Sequence, residues 1–196
     1  MTELYQTAFE IQRFCESQAW QFCFIGGVAV QRWGEPRLTT DVDLTLITGF
    51  GREQAFVETW LRHYRFRPPG SLALALQHRV LLLANARGTA VDVALGAIDF
   101  EQRSVQRSSL WATPAGAIRT CSAEDLLVHK CFAGRERDWA DVDGILARQK
   151  GKLDFNLVRR ELKPLLDLQE QPAKLDRLQQ KIQAHDRPFT TFPPAK

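Results

Sequence analysis

Long apolar runs are missing from this sequence. No apolar run in its 196 residues approaches the roughly 18 residues that span a bilayer. The opening Met1-Thr2-Glu3 does not resemble the start of a signal peptide. These absences predict a cytoplasmic protein with no membrane partner.

Metal-binding patterns of cysteine and histidine are also missing. The cysteines show no Cys-x-x-Cys spacing, and the histidines are scattered along the chain. Zinc bound by Cys and His is therefore not expected, and the cysteines are predicted to be reduced and mostly buried. The residues in question are Cys15, Cys23, Cys121, Cys131, His63, His78, His129 and His185.

A strong net charge is the third absence. The 26 Lys and Arg residues against 23 Asp and Glu residues give a formal net charge of +3, which alone does not indicate nucleic acid. Arginines nevertheless crowd the middle of the chain. Their pattern is compatible with an arginine-rich face for a polyanionic ligand and equally with a solvated surface. They are Arg62, Arg65, Arg67, Arg79, Arg87, Arg103 and Arg107.

The chain is long enough for one ordinary domain, or for a core with a helical extension. Short apolar strands alternate with helical patterns over 1–121, whereas 122–187 is helical throughout and the proline-rich tail 188–196 is expected to be loose. The predicted fold class is α+β, a mixed sheet flanked by helices with a C-terminal helical segment packed on it.

Periodicity and turn residues place the individual elements. Predicted strands are 21–25, 38–47, 79–85, 90–95, 110–113 and 117–120, the third and fourth forming a hairpin. Predicted helices are 4–18, 28–33, 52–64, 122–132, 139–149, 154–166 with a kink at Pro164, and 175–182. A turn is predicted at Pro68-Pro69-Gly70.

Two aspartates, Asp41 and Asp43, lie one residue apart in a stretch that otherwise reads as a strand. Successive strand side chains alternate faces, so both aspartates share one face while Val42 and Leu44 point into a core. Like charges on one face repel, so a positive group is expected between them. Asp92 occupies a second strand-like run. If the two strands are neighbours, three carboxylates converge and form a site for Mg²⁺ or Mn²⁺.

A Gly26-Gly27 pair that opens a helix precedes the Asp41-x-Asp43 strand and the later carboxylate Asp92. In this order and spacing the set resembles the nucleotidyltransferase superfamily, whose fold is shared with the catalytic palm of DNA polymerase beta. The resemblance covers about residues 20–150, and it implies a nucleotidyltransferase-type mixed sheet.

The sequence around the aspartates most resembles one branch of that superfamily. Arg37 and Thr39 precede Asp41, and Lys130, Asp138 and Asp141 follow in a helical region. This pattern resembles the AbiEii-like toxins of bacterial toxin–antitoxin systems. The resemblance implies a protein that is restrained by a cognate antitoxin and that arrests growth when expressed alone.

The resemblance also implies roles for these residues. Asp41 and Asp43 would bridge two metal ions, and Asp92 would complete the metal site near the acceptor and take its proton. Gly26 and Gly27 would let backbone amides approach the phosphates of a nucleoside triphosphate. The remaining predicted substrate-binding residues are Arg37, Thr39, Lys130, Asp138 and Asp141.

Plainer interpretations stay open for single residues. The glycine pair could be a simple turn, Lys130 a solvated helix lysine, and Asp138 with Asp141 surface ion-pair partners. Arg37 and Thr39 could order the loop rather than touch a ligand.

The expected activity is transfer of a nucleoside monophosphate from ATP, GTP or a pyrimidine triphosphate to a hydroxyl of RNA, such as a tRNA 3′ end, or of a protein. Two alternatives remain: an antibiotic-modifying transferase of the same fold, and a catalytically silent module that binds nucleotide, RNA or a partner protein.

Overall fold

A computed structural model of the chain describes residues 2–67 and 72–186. The predicted turn at Pro68-Pro69-Gly70 and the predicted tail 188–196 lie outside the described residues. In chain order the described elements are α1 (Thr2–Ser17), β1 (Phe22–Phe24), α2 (Gly26–Trp33), β2 (Asp41–Ile47), α3 (Glu53–Trp60), β3 (Arg65–Phe66), α4 (Leu72–His78), β4 (Val80–Ala84), β5 (Ala90–Gly96), α5 (Asp99–Arg107), β6 (Ser109–Thr113), β7 (Gly116–Thr120), α6 (Ala123–Ala133), α7 (Glu136–Arg148), α8 (Phe155–Leu168) and α9 (Ala173–Asp186).

The strands form one mixed sheet in the order β3-β4-β5-β2-β1-β7-β6. Strand β2 pairs in parallel with β5, and β1 pairs in parallel with β7. The other neighbouring pairs are antiparallel, including the predicted hairpin of β4 and β5. The predicted α+β class with a mixed sheet flanked by helices is therefore confirmed.

Apolar side chains form two clusters that explain why these segments fold. The first joins the sheet to α1 and α3, and Trp60 is fully buried within an aromatic group there. The second joins α2 and α5 to the C-terminal helices, with Leu126 and Ile145 fully buried. Burying such side chains contributes roughly 1.5–3 kcal/mol each, so both clusters hold the helices against the sheet.

The C-terminal helices begin and end at residues that satisfy their free backbone groups. Ser122 Oγ accepts a hydrogen bond from the Asp125 amide at 3.0 Å, as the predicted capping box requires. Helix α6 then ends at Gly134, which adopts a left-handed conformation with φ +67°. Asp154 caps α8, which contains Pro164. The division of the chain at residue 121/122 stays a prediction.

Three elements were not predicted. Helix α5 carries few apolar residues, and its first turn is held by Glu101, whose carboxylate accepts from the amides of Ala97 and Ile98. Hydrophobic periodicity gives no signal for such a helix. Helix α4 and the two-residue strand β3 are too short for a reliable pattern.

Two further expectations concern the cysteines and the absence of membrane-spanning segments. All four cysteines are buried and unbonded to one another, as predicted. Within residues 2–67 and 72–186, no helix has the length and apolar character to cross a membrane.

Candidate active site

The parallel pairing of β2 with β5 places the predicted carboxylates on one face of neighbouring strands. Asp43 lies directly opposite Asp92 in the register of the two strands, and Asp41 lies opposite Ala90. On the other face, Val42 and Leu44 are fully buried in the core. The three aspartates therefore share the face of the sheet that is turned away from that core.

Gly26 and Gly27 begin α2 directly beside this strand. The Gly27 amide donates a hydrogen bond to Asp43 Oδ2 at 3.3 Å. A methyl group at Gly26 would overlap the Asp43 carboxylate, and one at Gly27 would overlap the Thr39 hydroxyl. Gly26 also has φ +55°, a conformation that L residues rarely adopt. The pair is thus required for the close approach of the helix N-terminus to the aspartates.

The negative charges of the aspartates affect one another's pKa. Burial, with a smaller contribution from the negative charges of Asp41 and Asp92, raises the pKa of Asp43 to about 6, even though the Gly27 amide and Lys130 act to lower it. Burial likewise raises the pKa of Asp92, and Asp41 adds to this, although the Arg67 guanidinium opposes the shift. A carboxylate pair that resists ionisation is the electrostatic environment that a divalent cation relieves.

The third carboxylate, Asp92, forms an ion pair with an arginine that follows the edge strand β3. Arg67 Nη2 donates to Asp92 Oδ1 in an ion pair. Within residues 2–67 and 72–186, no group of three His, Cys, Asp or Glu side chains is gathered closely enough to hold a metal ion. The donors are nevertheless all oxygen, as Mg²⁺ and Mn²⁺ prefer. The donor chemistry of Asp41 and Asp43 suits such a cation, whereas Asp92 is bonded to Arg67.

The opposite wall comes from α6 and α7. Lys130 is buried, and its Nζ lies 3.2 Å from Asp138 Oδ1 and 2.7 Å from Asp141 Oδ2. Arg37 adds a two-pronged contact to Asp141, from Nε at 2.6 Å and Nη2 at 2.8 Å. Arg135 bonds Asp138 through Nε at 2.7 Å. This set ties the loop before β2 to the C-terminal helices.

These ion pairs set the charge of the two acids. Burial would raise the pKa of Asp138 and of Asp141, but hydrogen bonds from Arg135 to the first and from Arg37 to the second, with Lys130 bonding both, hold each pKa below its usual range. Both acids are therefore ionised at neutral pH and remain bonded to Lys130. Asp138 and Asp141 are not surface ion-pair partners, because both are buried.

Between the two walls lies a cleft of about 410 Å³. Nine of the ten residues predicted for the site line it, and Asp141, the tenth, is joined to the cleft through Arg37 and Lys130. The nine are Gly26, Gly27, Arg37, Thr39, Asp41, Asp43, Asp92, Lys130 and Asp138. Thr39 also has an observed contact, since its hydroxyl donates to Asp41 Oδ1 at 2.8 Å.

The cleft contains residues that sequence reasoning did not single out. Arg137 lines it, is exposed, and within the described part of the chain forms no ion pair. His129 lines it too, and burial lowers the pKa of this histidine to about 4, so its imidazole is neutral. Neither is marked by a spacing rule. Arg137 directly precedes Asp138 in the sequence, and no pattern distinguishes it there from the other arginines.

Most of the mid-chain arginines are engaged within the protein. Arg79 pairs with Glu53, and Arg87 pairs with Glu10. Arg103 and Arg107 both bond the buried Glu161. Together with Arg67, five of the seven therefore have carboxylate partners. This pairing does not favour a continuous arginine-rich face.

Comparisons with known proteins were made for sequence and for structure. No protein-family model matches the chain, and no curated protein matches it significantly. Among solved structures, an antigenic nucleotidyltransferase-like protein from Paracoccidioides brasiliensis is similar, with a TM-score of 0.53, 17% identity and 94% of each chain covered.

Two further solved structures have lower TM-scores. The lincosamide antibiotic adenylyltransferase LnuA, bound to lincomycin, has a TM-score of 0.48 at 16% identity over 70% of this chain and 92% of its own. ANT(2")-Ia, in complex with adenylyl-2"-tobramycin, has a TM-score of 0.48 at 12% identity over 94% of this chain and 97% of its own. The similarity to the Paracoccidioides brasiliensis protein shows that the chain has a nucleotidyltransferase-like fold.

Proposed function

We propose that this protein is a metal-dependent nucleotidyltransferase, which moves a nucleoside monophosphate from a nucleoside triphosphate to a hydroxyl group. One observation carries the proposal. Three aspartates on neighbouring parallel strands line a cleft whose other wall supplies Lys130 and Arg137. Acidic metal ligands facing cations across a cleft suit a substrate that is itself a metal-bound polyphosphate.

Asp41 and Asp43 would hold the divalent cation, Mg²⁺ or Mn²⁺, and Asp92 would join them. Their oxygens share one face of the sheet, and the raised pKa of Asp43 supports a position where positive charge is favoured. When bound there, the cation would neutralise charge on the triphosphate and on the departing pyrophosphate.

The triphosphate would lie between the start of α2 and the start of α7. The N-terminus of α2 at Gly26-Gly27 presents backbone amides without a Cβ in the way. Arg137 supplies a cation with no carboxylate partner in the described residues. Lys130 would contribute positive charge from the wall formed by α6 and α7, where its ion pairs with Asp138 and Asp141 fix its position.

In the reaction, the acceptor oxygen attacks the α-phosphorus, and the bond from that phosphorus to the bridging oxygen of the β-phosphate breaks. Pyrophosphate leaves, and the acceptor proton passes to a carboxylate of the site. Asp92 suits this role because its side chain is partly exposed at the cleft and burial raises its pKa.

The acceptor is proposed to be RNA, such as a tRNA 3′ end, or a protein hydroxyl, in a toxin-like protein with a cognate antitoxin. The support is the resemblance of the Arg37-x-Thr39-x-Asp41 and Lys130 to Asp141 segments. A small hydroxylated amine, as in antibiotic modification, is the second candidate. A cationic acceptor of this kind suits an acidic cleft better than an arginine-lined one, and the internal pairing of most mid-chain arginines is compatible with it without favouring it over RNA or protein.

Label transfer tests the proposal. The purified protein is incubated with each α-labelled triphosphate and Mg²⁺ or Mn²⁺, and with tRNA, a protein lysate or hydroxylated amine antibiotics in separate reactions. Labelled acceptor is expected in at least one reaction and should be lost in Asp41→Asn and Asp43→Asn. Equal labelling by these folded variants would overturn the mechanism, and binding of triphosphate without transfer to any acceptor would favour the silent binding module.

A further inference from the structure

The ion pair between Arg67 and Asp92 joins the residue that follows β3 to the non-neighbouring strand β5. Arg67 follows β3 at the edge of the sheet, and its amide donates to the Leu82 carbonyl on β4 at 2.9 Å. Leu82 in turn lies opposite Asp92 on β5. The Arg67 guanidinium therefore reaches across β4 to bond the carboxylate that borders the cleft.

The three aspartates differ in what holds them. Asp41 accepts from the neutral Thr39 hydroxyl, and Asp43 accepts from the neutral Gly27 amide. Counting partners within residues 2–67 and 72–186, Asp92 alone of the three is bonded to a full positive charge. A neutral donor can share a carboxylate with a cation, whereas a guanidinium and a divalent cation on the same oxygens repel each other.

We propose that Arg67 is a positioning residue that competes with the divalent cation for Asp92. While Arg67 holds Asp92, the cation is bound by two carboxylates only, and full ligation requires that the ion pair opens. This inference rests on the proposed function. It adds a residue that limits metal affinity and that keeps the third carboxylate charged and oriented when no cation is bound.

If Arg67 competes with the metal ion, removing it should change the metal affinity in the opposite direction from removing a structural ion pair. Removing a purely structural ion pair loosens the site and weakens metal binding. Removing a competitor frees Asp92 for the cation and strengthens it. The side chains of Arg67 and Asp92 are 35% and 27% exposed, so the ion pair is a partly screened contact, and the expected gain in Mn²⁺ affinity is about three- to fivefold.

The test is Mn²⁺ binding, followed from the signal of free Mn²⁺ in electron paramagnetic resonance with no nucleotide present. The variants are Arg67→Ala, Arg67→Lys, Asp41→Asn, and Arg67→Ala combined with Asp92→Asn. Arg65→Ala is the matched control, because Arg65 lies on the same edge strand, is exposed and does not line the cleft. Arg67→Ala is expected to bind Mn²⁺ about three- to fivefold more tightly than the natural protein. Arg67→Lys should fall between them, Arg65→Ala should match the natural protein, and the added Asp92→Asn should abolish the gain.

Unchanged or weaker Mn²⁺ binding by Arg67→Ala would overturn the inference. If the natural protein binds Mn²⁺ through Asp41 while Arg67→Ala behaves identically, the inference fails and the proposed function stands. If neither protein binds Mn²⁺, both fail together. Circular dichroism and urea unfolding of each variant exclude loss of the fold as the cause.

Discussion

Asp43 and Asp92 face one another across the parallel pair of strands β2 and β5, in direct register. They are 49 residues apart in the chain, and no local pattern joins them. Because side chains alternate along both strands, this register also places Asp41 on the same face. A shift of one residue in either strand would turn its carboxylates into the core, so the fit of the buried valines also fixes the site.

Asp43 should make stability depend on pH in a defined window. Its pKa in the folded protein, about 6, lies above the ordinary Asp value of about 3.9, so the folded state binds more protons between these two values. Stability is therefore full below the lower value and falls as pH rises, by about 3 kcal/mol in total near pH 7. Urea unfolding in a metal chelator at several pH values between 4 and 7 measures this.

Asp43→Asn is the matched variant, since its amide cannot ionise. Relative to the natural protein it should gain about 3 kcal/mol of stability on going from pH 4 to pH 7. Parallel stability curves for the two proteins over this range would contradict the account of crowded carboxylates.

Gly26→Ala should lose both stability and triphosphate binding. The new methyl group would strain the left-handed backbone and collide with the Asp43 carboxylate. Gly49→Ala is the control: Gly49 has φ +71° but open space around it, so this change should cost only about 1 kcal/mol and leave binding intact. Equal losses of binding in both variants, measured with a fluorescent triphosphate, would argue against the glycine's role at the site.

Lys130→Met should destabilise the protein by about 3 kcal/mol or more, because it leaves Asp138 and Asp141 buried without one of their cations. Lys163→Met removes an exposed lysine that pairs with Asp167, and should cost less than about 1 kcal/mol. Urea unfolding at pH 7 compares the two. Similar costs would mean that the Lys130 network does not hold the C-terminal helices to the loop before β2.

Arg137→Ala should weaken triphosphate binding about tenfold with little change in stability, since this exposed cation has no carboxylate partner in the described chain to leave behind. Arg160→Ala is the comparison, because Arg160 is an exposed arginine of α8 outside the cleft. Titration with a non-hydrolysable triphosphate measures the dissociation constants. An equal constant for both variants would remove Arg137 from the proposed phosphate site.

Sequence reasoning located the acidic face because strand alternation is a local property. Asp41 and Asp43 carry that signal between buried neighbours, and the same pattern recurs at Asp92. The alternation pattern alone did not predict that β2 and β5 are neighbouring strands, which the convergence of the aspartates requires. The structure meets this condition.

What sequence reasoning missed depends on contacts distant in the chain. Arg67 reaches Asp92 only because β3 adds to the sheet edge beyond β4, and a two-residue strand has no readable periodicity. Lys130 was expected near a triphosphate as a free charge, yet both of its carboxylate partners come from the next helix. These ion pairs form because α6 and α7 pack together with the three side chains buried between them, and helix periodicity alone does not predict that packing.

The central claim is that Asp41 and Asp43 hold a divalent cation at the base of the cleft. A crystal structure with Mn²⁺ and a non-hydrolysable triphosphate, with Mn²⁺ placed from its anomalous scattering, tests it most directly. The account predicts an anomalous peak bonded to both carboxylates and to phosphate oxygens. Triphosphate bound in the cleft with no such peak, or with Mn²⁺ bound away from the two aspartates, would contradict it.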